Sequence, residues 1–205
     1  MLYDYIIENF SLGEPIFLSE LPGKSKNYLR QEMKKLVDEG RMERLYNGVY
    51  FVPYKTILGT KGKISVEKYV EKKFLSIDGK IAGYITGLHL ANLYGFTTQN
   101  PSCIEVCSNN ATTKQRKISI DGMKVIIYKP VTEITRYNKD ALQFLDMMTY
   151  LDKYSELKGE SLKEKLNDYK KKRNLDFNIV KKYLYLYPDC VYRNIYNGGL
   201  MSELV

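Results

Sequence analysis

Asn27, Arg30, Gln31 and Lys34 fall at i, i+3, i+4 and i+7, so a helix carrying them sets amides, a guanidinium and an ammonium along one stripe. These groups suit duplex DNA: arginine pairs with guanine edges, asparagine or glutamine with adenine, and lysine with phosphate. The approach to this stripe, Gly23 to Gln31, adds Lys24 and Lys26 and holds no acid. In helix-turn-helix docking these first residues reach the bases.

The elements that must position the stripe are legible around it. Ser25 is placed to cap the helix, Leu29, Met33, Leu36 and Val37 form its apolar face, and Gly40 ends it. Two extended runs then flank Asn47-Gly48, the dipeptide preferred in a type I′ hairpin turn, and place Arg44, Tyr46 and Asn47 at a wing. Leu2, Ile6 and Phe10 supply a first helix to close a small core. Residues 21–53 thus read as a short helix-turn-helix followed by a β-hairpin, the outline of a winged module. A charged outer helix face is more often solvated than bound to a ligand, and winged modules also dock proteins. The order of helix, turn, helix and Asn-Gly hairpin favours DNA.

The bulk figures agree with a soluble globular chain: 205 residues, 44% hydrophobic, 27% charged and net charge +8. Residues 1–55 carry eight bases and eight acids, yet residues 21–55 hold all eight bases and only four of those acids. The positive excess therefore lies on the presumed reading side. The rest of the chain is also basic and suits phosphate, RNA or an acidic protein. No apolar run reaches membrane-spanning length, and no charged n-region precedes an apolar core at the start, so no membrane association and a cytoplasmic location are expected.

Three cysteines, Cys103, Cys107 and Cys190, are too few for a disulfide framework, and with His89 as the lone histidine they read as buried free thiols rather than a zinc site. No phosphate loop, nucleophile elbow, zinc-protease helix or dinucleotide fingerprint occurs. The expectation is a non-enzymatic protein with no catalytic residues, metal or cofactor.

A polar, glycine-containing stretch near residues 54–63 reads as a linker. Beyond it, helices are expected over 66–75 and 84–94, the latter entered by an Asp78-Gly79 turn. Strands follow at 102–107, 117–120 and 123–128, the last two joined at Asp121-Gly122. The loop between the first two carries Lys114, Arg116 and Lys117, a candidate basic contact against the blander reading of a solvated tip. Helices are expected after Asp140, with a last one over 179–186. The basic run Lys170 to Arg173 reads as a solvated helix end. The fold class is α+β: a winged helix-turn-helix domain at 1–55, then a mixed β-sheet and helix domain at 63–205 with a helical C-terminal tail.

The segment GYITGLHLANLYGFTTQNP, Gly83 to Pro101, followed by a strand, a basic loop and the hairpin ISIDGMKVIIYKP, resembles the AbiEi family of type IV toxin-antitoxin antitoxins. The N-terminal module ending in NGVYFVP is similar to the N-terminal domain of that family, and the two blocks together cover residues 1–135. The resemblance implies an abortive-infection antitoxin whose winged domain binds operator DNA and represses its own operon. Its C-terminal domain would counteract a nucleotidyltransferase toxin, through the toxin or its RNA substrate. Thr97, Thr98, Gln99 and Pro101 carry over as a shared signature, either as contacts or as the shape of a helix-to-strand turn.

Overall fold

The computed structural model describes residues 1–23, 25–62 and 64–204, and its fold mixes helices with small sheets. Two compact units emerge, Met1–Lys72 with Ile120–Gly122, and Lys73–Ser119 with Met123–Val205.

In the first unit, helix α1 (Leu2–Asn9) buries Ile6, and α2 (Lys26–Asp38) buries Leu29, Met33 and Leu36. Ser25 caps α2 by accepting the Tyr28 amide at 3.2 Å, and Gly40 takes the left-handed conformation beyond its end. Strands β1 (Ile16–Phe17), β2 (Glu43–Tyr46) and β3 (Val49–Phe51) form an antiparallel sheet in the order β1-β3-β2. Ile6, Ile16, Met33, Met42 and Tyr50 share one apolar core with the buried face of α2.

Two expectations change here. Among the described residues of 21–53 there is a single α-helix, and the helical element just before it is one 3-10 turn, Leu18–Glu20, where Glu20 turns back to accept the Phe17 amide at 2.7 Å. The Asn47-Gly48 turn is not type I′, because Gly48 alone of the pair has positive φ and the register slips between Arg44 and Tyr46. A bulged hairpin needs only one left-handed residue and so leaves asparagine unstrained.

The first unit also runs through the stretch expected as a linker. Thr56 and Thr60 close a small turn there, and helix α3 (Val66–Val70) follows. Tyr69 packs on Phe17 and Tyr46, with ring centroids 5.8 and 6.1 Å away. Lys72 then reaches Glu14 at 2.8 Å, Glu20 at 3.0 Å and the Pro15 carbonyl. Burial pushes the Glu14 carboxyl up, but the Lys72 and Ser11 hydrogen bonds and the Lys72 charge outweigh it and hold the group below its ordinary value. Lys72→Ala leaves two neighbouring carboxylates without their cation. We expect a loss of about 1–2 kcal/mol, moderated by solvent, in urea unfolding at neutral pH. The loss should shrink as pH falls and Glu14, held below its ordinary value in the fold, protonates; an unchanged midpoint would mean that the clasp contributes nothing.

In the second unit, Asp78-Gly79 joins a two-stranded hairpin, β4 (Ser76–Ile77) and β5 (Lys80–Ile81), instead of leading into a helix; both turn residues have positive φ. Strands β6 (Gly83–Ile85), β7 (Cys103–Ser108), β8 (Gln115–Ile120) and β9 (Met123–Tyr128) order as β6-β7-β9-β8, with β7 and β9 parallel. The turn between β8 and β9, Asp121 and Gly122, which groups with the first unit, does adopt the double positive φ of a type I′ turn. The helix expected over 84–94 begins only at Gly87, because Tyr84 is paired in β6 with Cys107 and α4 spans Gly87–Leu93. Gly87 has φ +65°, and an added Cβ would lie 1.5 Å from Glu105 Oε2. The buried Glu105 carboxylate occupies the space that a side chain would need.

Helix α5 (Lys139–Tyr154) is the axis of this unit, burying Leu142, Phe144, Leu145 and Met148 between α4, β6, α7 (Phe177–Tyr183) and α8 (Cys190–Asn197). Helix α6 (Gly159–Arg173) buries Leu162, Leu166 and Tyr169, and ends at Asn174, which takes the left-handed conformation. The expected last helix over 179–186 is α7 plus a 3-10 turn, and the tyrosine-rich end folds as the additional α8. All three cysteines are free; Cys107 is buried, whereas Cys103 and Cys190 retain partial exposure.

Candidate nucleic-acid interface

The inner face of α2 is fixed by Leu29, Met33 and Leu36, and that choice turns Lys26, Asn27, Arg30, Gln31 and Lys34 outward, all exposed. Lys24 lies outside the described residues. Arg30 touches its neighbour only weakly, with Nη1 3.5 Å from Asn27 Oδ1. Among the described residues neither Lys26 nor Lys34 has an ion pair, and the first turn of α2 holds no acid. The positive end of the helix dipole therefore adds to the lysine charge. Lys35 differs, since a Glu32 carboxylate 2.8 Å away neutralises it and raises its pKa. Sequence spacing missed Tyr28, which stands 48% exposed in the first turn among these donors. Its signal was an aromatic residue at a position that the apolar stripe does not use.

The hairpin groups are committed differently. Arg44 Nη2 donates to Asn47 Oδ1 at 2.7 Å and Nε to the Tyr46 carbonyl at 3.4 Å, so the guanidinium is folded back on the hairpin tip. The Tyr46 ring is half-buried against Tyr69. Arg44 and Asn47 remain exposed and can exchange their mutual bond for a phosphate, whereas the Tyr46 ring serves packing. Arg41, which the sequence also offers as a wing contact to phosphate or the minor groove, lies over the Tyr3 ring at 3.6 Å.

The signature residues of the second unit form a turn of their own. Glu156, just past α5, accepts the Thr97 hydroxyl at 2.7 Å and both the amide and hydroxyl of Thr98 at 3.0 Å. Thr97 Oγ1 also accepts the Gln99 amide, and Asn92 Nδ2 donates to the Gln99 carbonyl. Pro101 then leads into β7. These bonds, the Thr97 hydroxyl first, hold the Glu156 carboxyl below the usual glutamate range. The signature thus ties the end of α4 to the end of α5, a geometric task. Because the folded-state pKa is depressed, the stabilisation is present above the ordinary glutamate value and is lost as pH falls through the lower, folded value. Thr97→Val should lower the thermal midpoint near neutral pH and cost less where Glu156 is protonated. An equal loss at both pH values would assign the effect to packing alone.

Lys114, Arg116 and Lys117 are exposed, but Arg116 and Lys117 lie in β8 itself and not in a loop. Strand β8 is a sheet edge, where charged side chains discourage pairing with other chains. Among the described residues no cluster of three His, Cys, Asp or Glu is arranged to hold a metal, and no helix is long and apolar enough to cross a membrane. No protein-family model matches this chain, and no curated protein matches it.

Proposed function

We propose that the first unit is a winged helix that reads duplex operator DNA, and that the chain is an autorepressing antitoxin of the AbiEi type, acting in the cytoplasm without catalysis of its own. The observation that carries this reading is the outer face of α2, where Lys26, Asn27, Arg30, Gln31 and Lys34 stand exposed with almost no internal partners. Side chains that hydrogen-bond only to water exchange those bonds for base edges and phosphates at little cost in fold stability. The order α1, β1, 3-10 turn, α2 and β2-β3 hairpin supports the winged assignment, with the exposed Arg44 and Asn47 at the wing. The second unit, by the resemblance of Gly83 to Pro101, would counter a nucleotidyltransferase toxin, either directly or at its RNA substrate.

The test is a gel shift of the whole protein on its own upstream DNA and on a scrambled duplex in ~150 mM salt, where non-specific phosphate binding is weakened. Selective retardation of the upstream DNA is the expected result. Equal affinity for both duplexes would remove operator recognition. Rescue of growth when the chain is co-expressed with a nucleotidyltransferase encoded beside it tests the antitoxin half separately.

A further inference from the structure

A second concave site lies wholly within the second unit, where the end of α4 faces α6. Tyr94, Gly95, Lys165, Asp168, Lys171 and Lys172 line it. Residues 165, 168 and 172 are spaced i, i+3 and i+7, so α6 turns one face toward the cleft.

The other bases of α6 are neutralised within the fold: Lys163 pairs with Glu160, Lys170 with Glu203 and Arg173 with Asp140. Lys165, Lys171 and Lys172 have no ion pair among the described residues. The three that remain are the three that converge on the cleft, against one acid, Asp168. The basic run Lys170 to Arg173, read from sequence as one solvated helix end, is therefore divided by the fold into two paired and two unpaired members.

The floor is aromatic. Tyr94 packs edge-on to Tyr169 at 4.6 Å, and Lys172 Nζ lies 5.7 Å from the Tyr94 ring centre. Gly95 has positive φ and no side chain, and an added Cβ would come within 3.4 Å of Lys165 Nζ. Leu93, 59% exposed, extends the apolar rim. Ammonium groups beside an aromatic and aliphatic surface are the combination that holds a nucleotide, charge on phosphate and flat surface on base.

We propose that this cleft is a nucleotide-binding site, with Lys165 and Lys172 on the phosphate, Lys171 at the rim, and Tyr94 with Leu93 against the base. A free mononucleotide and a nucleotide within single-stranded RNA share this chemistry. The site is independent of α2 and of the operator reading.

Isothermal titration of the full chain with inorganic phosphate, AMP and a short single-stranded oligoribonucleotide tests it. Saturable binding of AMP or the oligonucleotide is expected, competed by inorganic phosphate and weakened about tenfold or more in Lys165→Ala/Lys172→Ala. Lys181→Ala/Lys182→Ala removes the same charge from exposed positions on α7 and should leave affinity unchanged. Lys172→Glu alone, at an exposed position, repeats the test without touching the half-buried Lys165. Binding of AMP identifies a free nucleotide as sufficient, and binding of the oligonucleotide alone identifies the chain. Absence of saturable binding to both, or equal weakening by the two double variants, overturns the site.

Discussion

Replacing Asn27, Arg30 and Gln31 together with alanine should lower affinity for the operator by on the order of a hundredfold and leave the scrambled duplex bound as before. Each well-formed bidentate contact contributes about 1–3 kcal/mol of discrimination, so losing the two or three contacts that these side chains can make accounts for that figure. The fold should be indifferent, because all three are exposed and their one mutual contact is the 3.5 Å bond between Arg30 and Asn27. Alanine is also the better helix former at each position. Lys26→Ala/Lys34→Ala provides the contrast: phosphate contacts carry no sequence information, so both duplexes should weaken alike and the salt slope should fall by about two. If the triple variant distinguishes operator from scrambled DNA as well as the parent chain, α2 is not the reading helix. The interaction would then lie elsewhere, with a protein partner for the first unit as the next hypothesis.

The parts of this fold that were legible in sequence are those with long, regular spacing. Helix α2 shows its apolar face at Leu29, Met33 and Leu36, its cap at Ser25 and its stop at Gly40, and each is a local signal. Strand β1 has two residues and the turn after it three, too short for any period to declare itself. The sequence alone does not separate Tyr84 from the helix after it, because the run from Gly83 to Tyr94 is mostly apolar with no turn signal inside it, and the backbone of Gly87 and the carboxylate of Glu105 mark where strand gives way to helix. Tyr69 and Lys72 looked like the start of a second domain. Their partners Phe17, Glu14 and Glu20 lie about fifty residues earlier, beyond the reach of any local pattern. The candidate interface followed the same division. Exposure of the α2 stripe was readable from the periodicity, whereas the Arg44–Asn47 bond and the packing of Tyr46 on Tyr69 depend on how the hairpin bulges and on a distant helix.

Asp146→Asn should stabilise the second unit at pH 8 by up to about 3 kcal/mol and do little at pH 4. The carboxylate lies deep on α5, keeps a small accessible surface, and accepts the Tyr84 hydroxyl at 2.9 Å and the Thr86 hydroxyl at 3.4 Å. Burial raises its pKa from 3.8 to about 6, against hydrogen bonds from Tyr84, Thr86 and Tyr187 that favour the charged form, and no ion pair among the described residues offsets that burial. Because the folded-state pKa lies above the unfolded one, the favourable contribution is complete below about 4 and is lost as pH rises through 6. Asparagine keeps an oxygen for the hydroxyls and never ionises, which removes that loss. Glu14 and Glu156 have the opposite sign, so the difference between variant and parent at each pH isolates Asp146 from them. Glu105, itself raised chiefly by burial, shares the sign of Asp146 but is common to both proteins and cancels in the same way. Asp146→Ala leaves the Tyr84 and Thr86 hydroxyls facing a void and should destabilise by about 1–3 kcal/mol near pH 4, but alanine does not ionise either, so that loss should shrink or vanish by pH 8. Urea unfolding of the full chain as a function of pH reads all three. A loss in Asp146→Asn that is as large at pH 8 as at pH 4 would show that the carboxylate is held charged without penalty. The expected gain would instead mean that the joint between β6, α4 and α5, on which the Thr97–Glu156 turn and the lysine cleft are both mounted, is kept below its attainable stability at neutral pH.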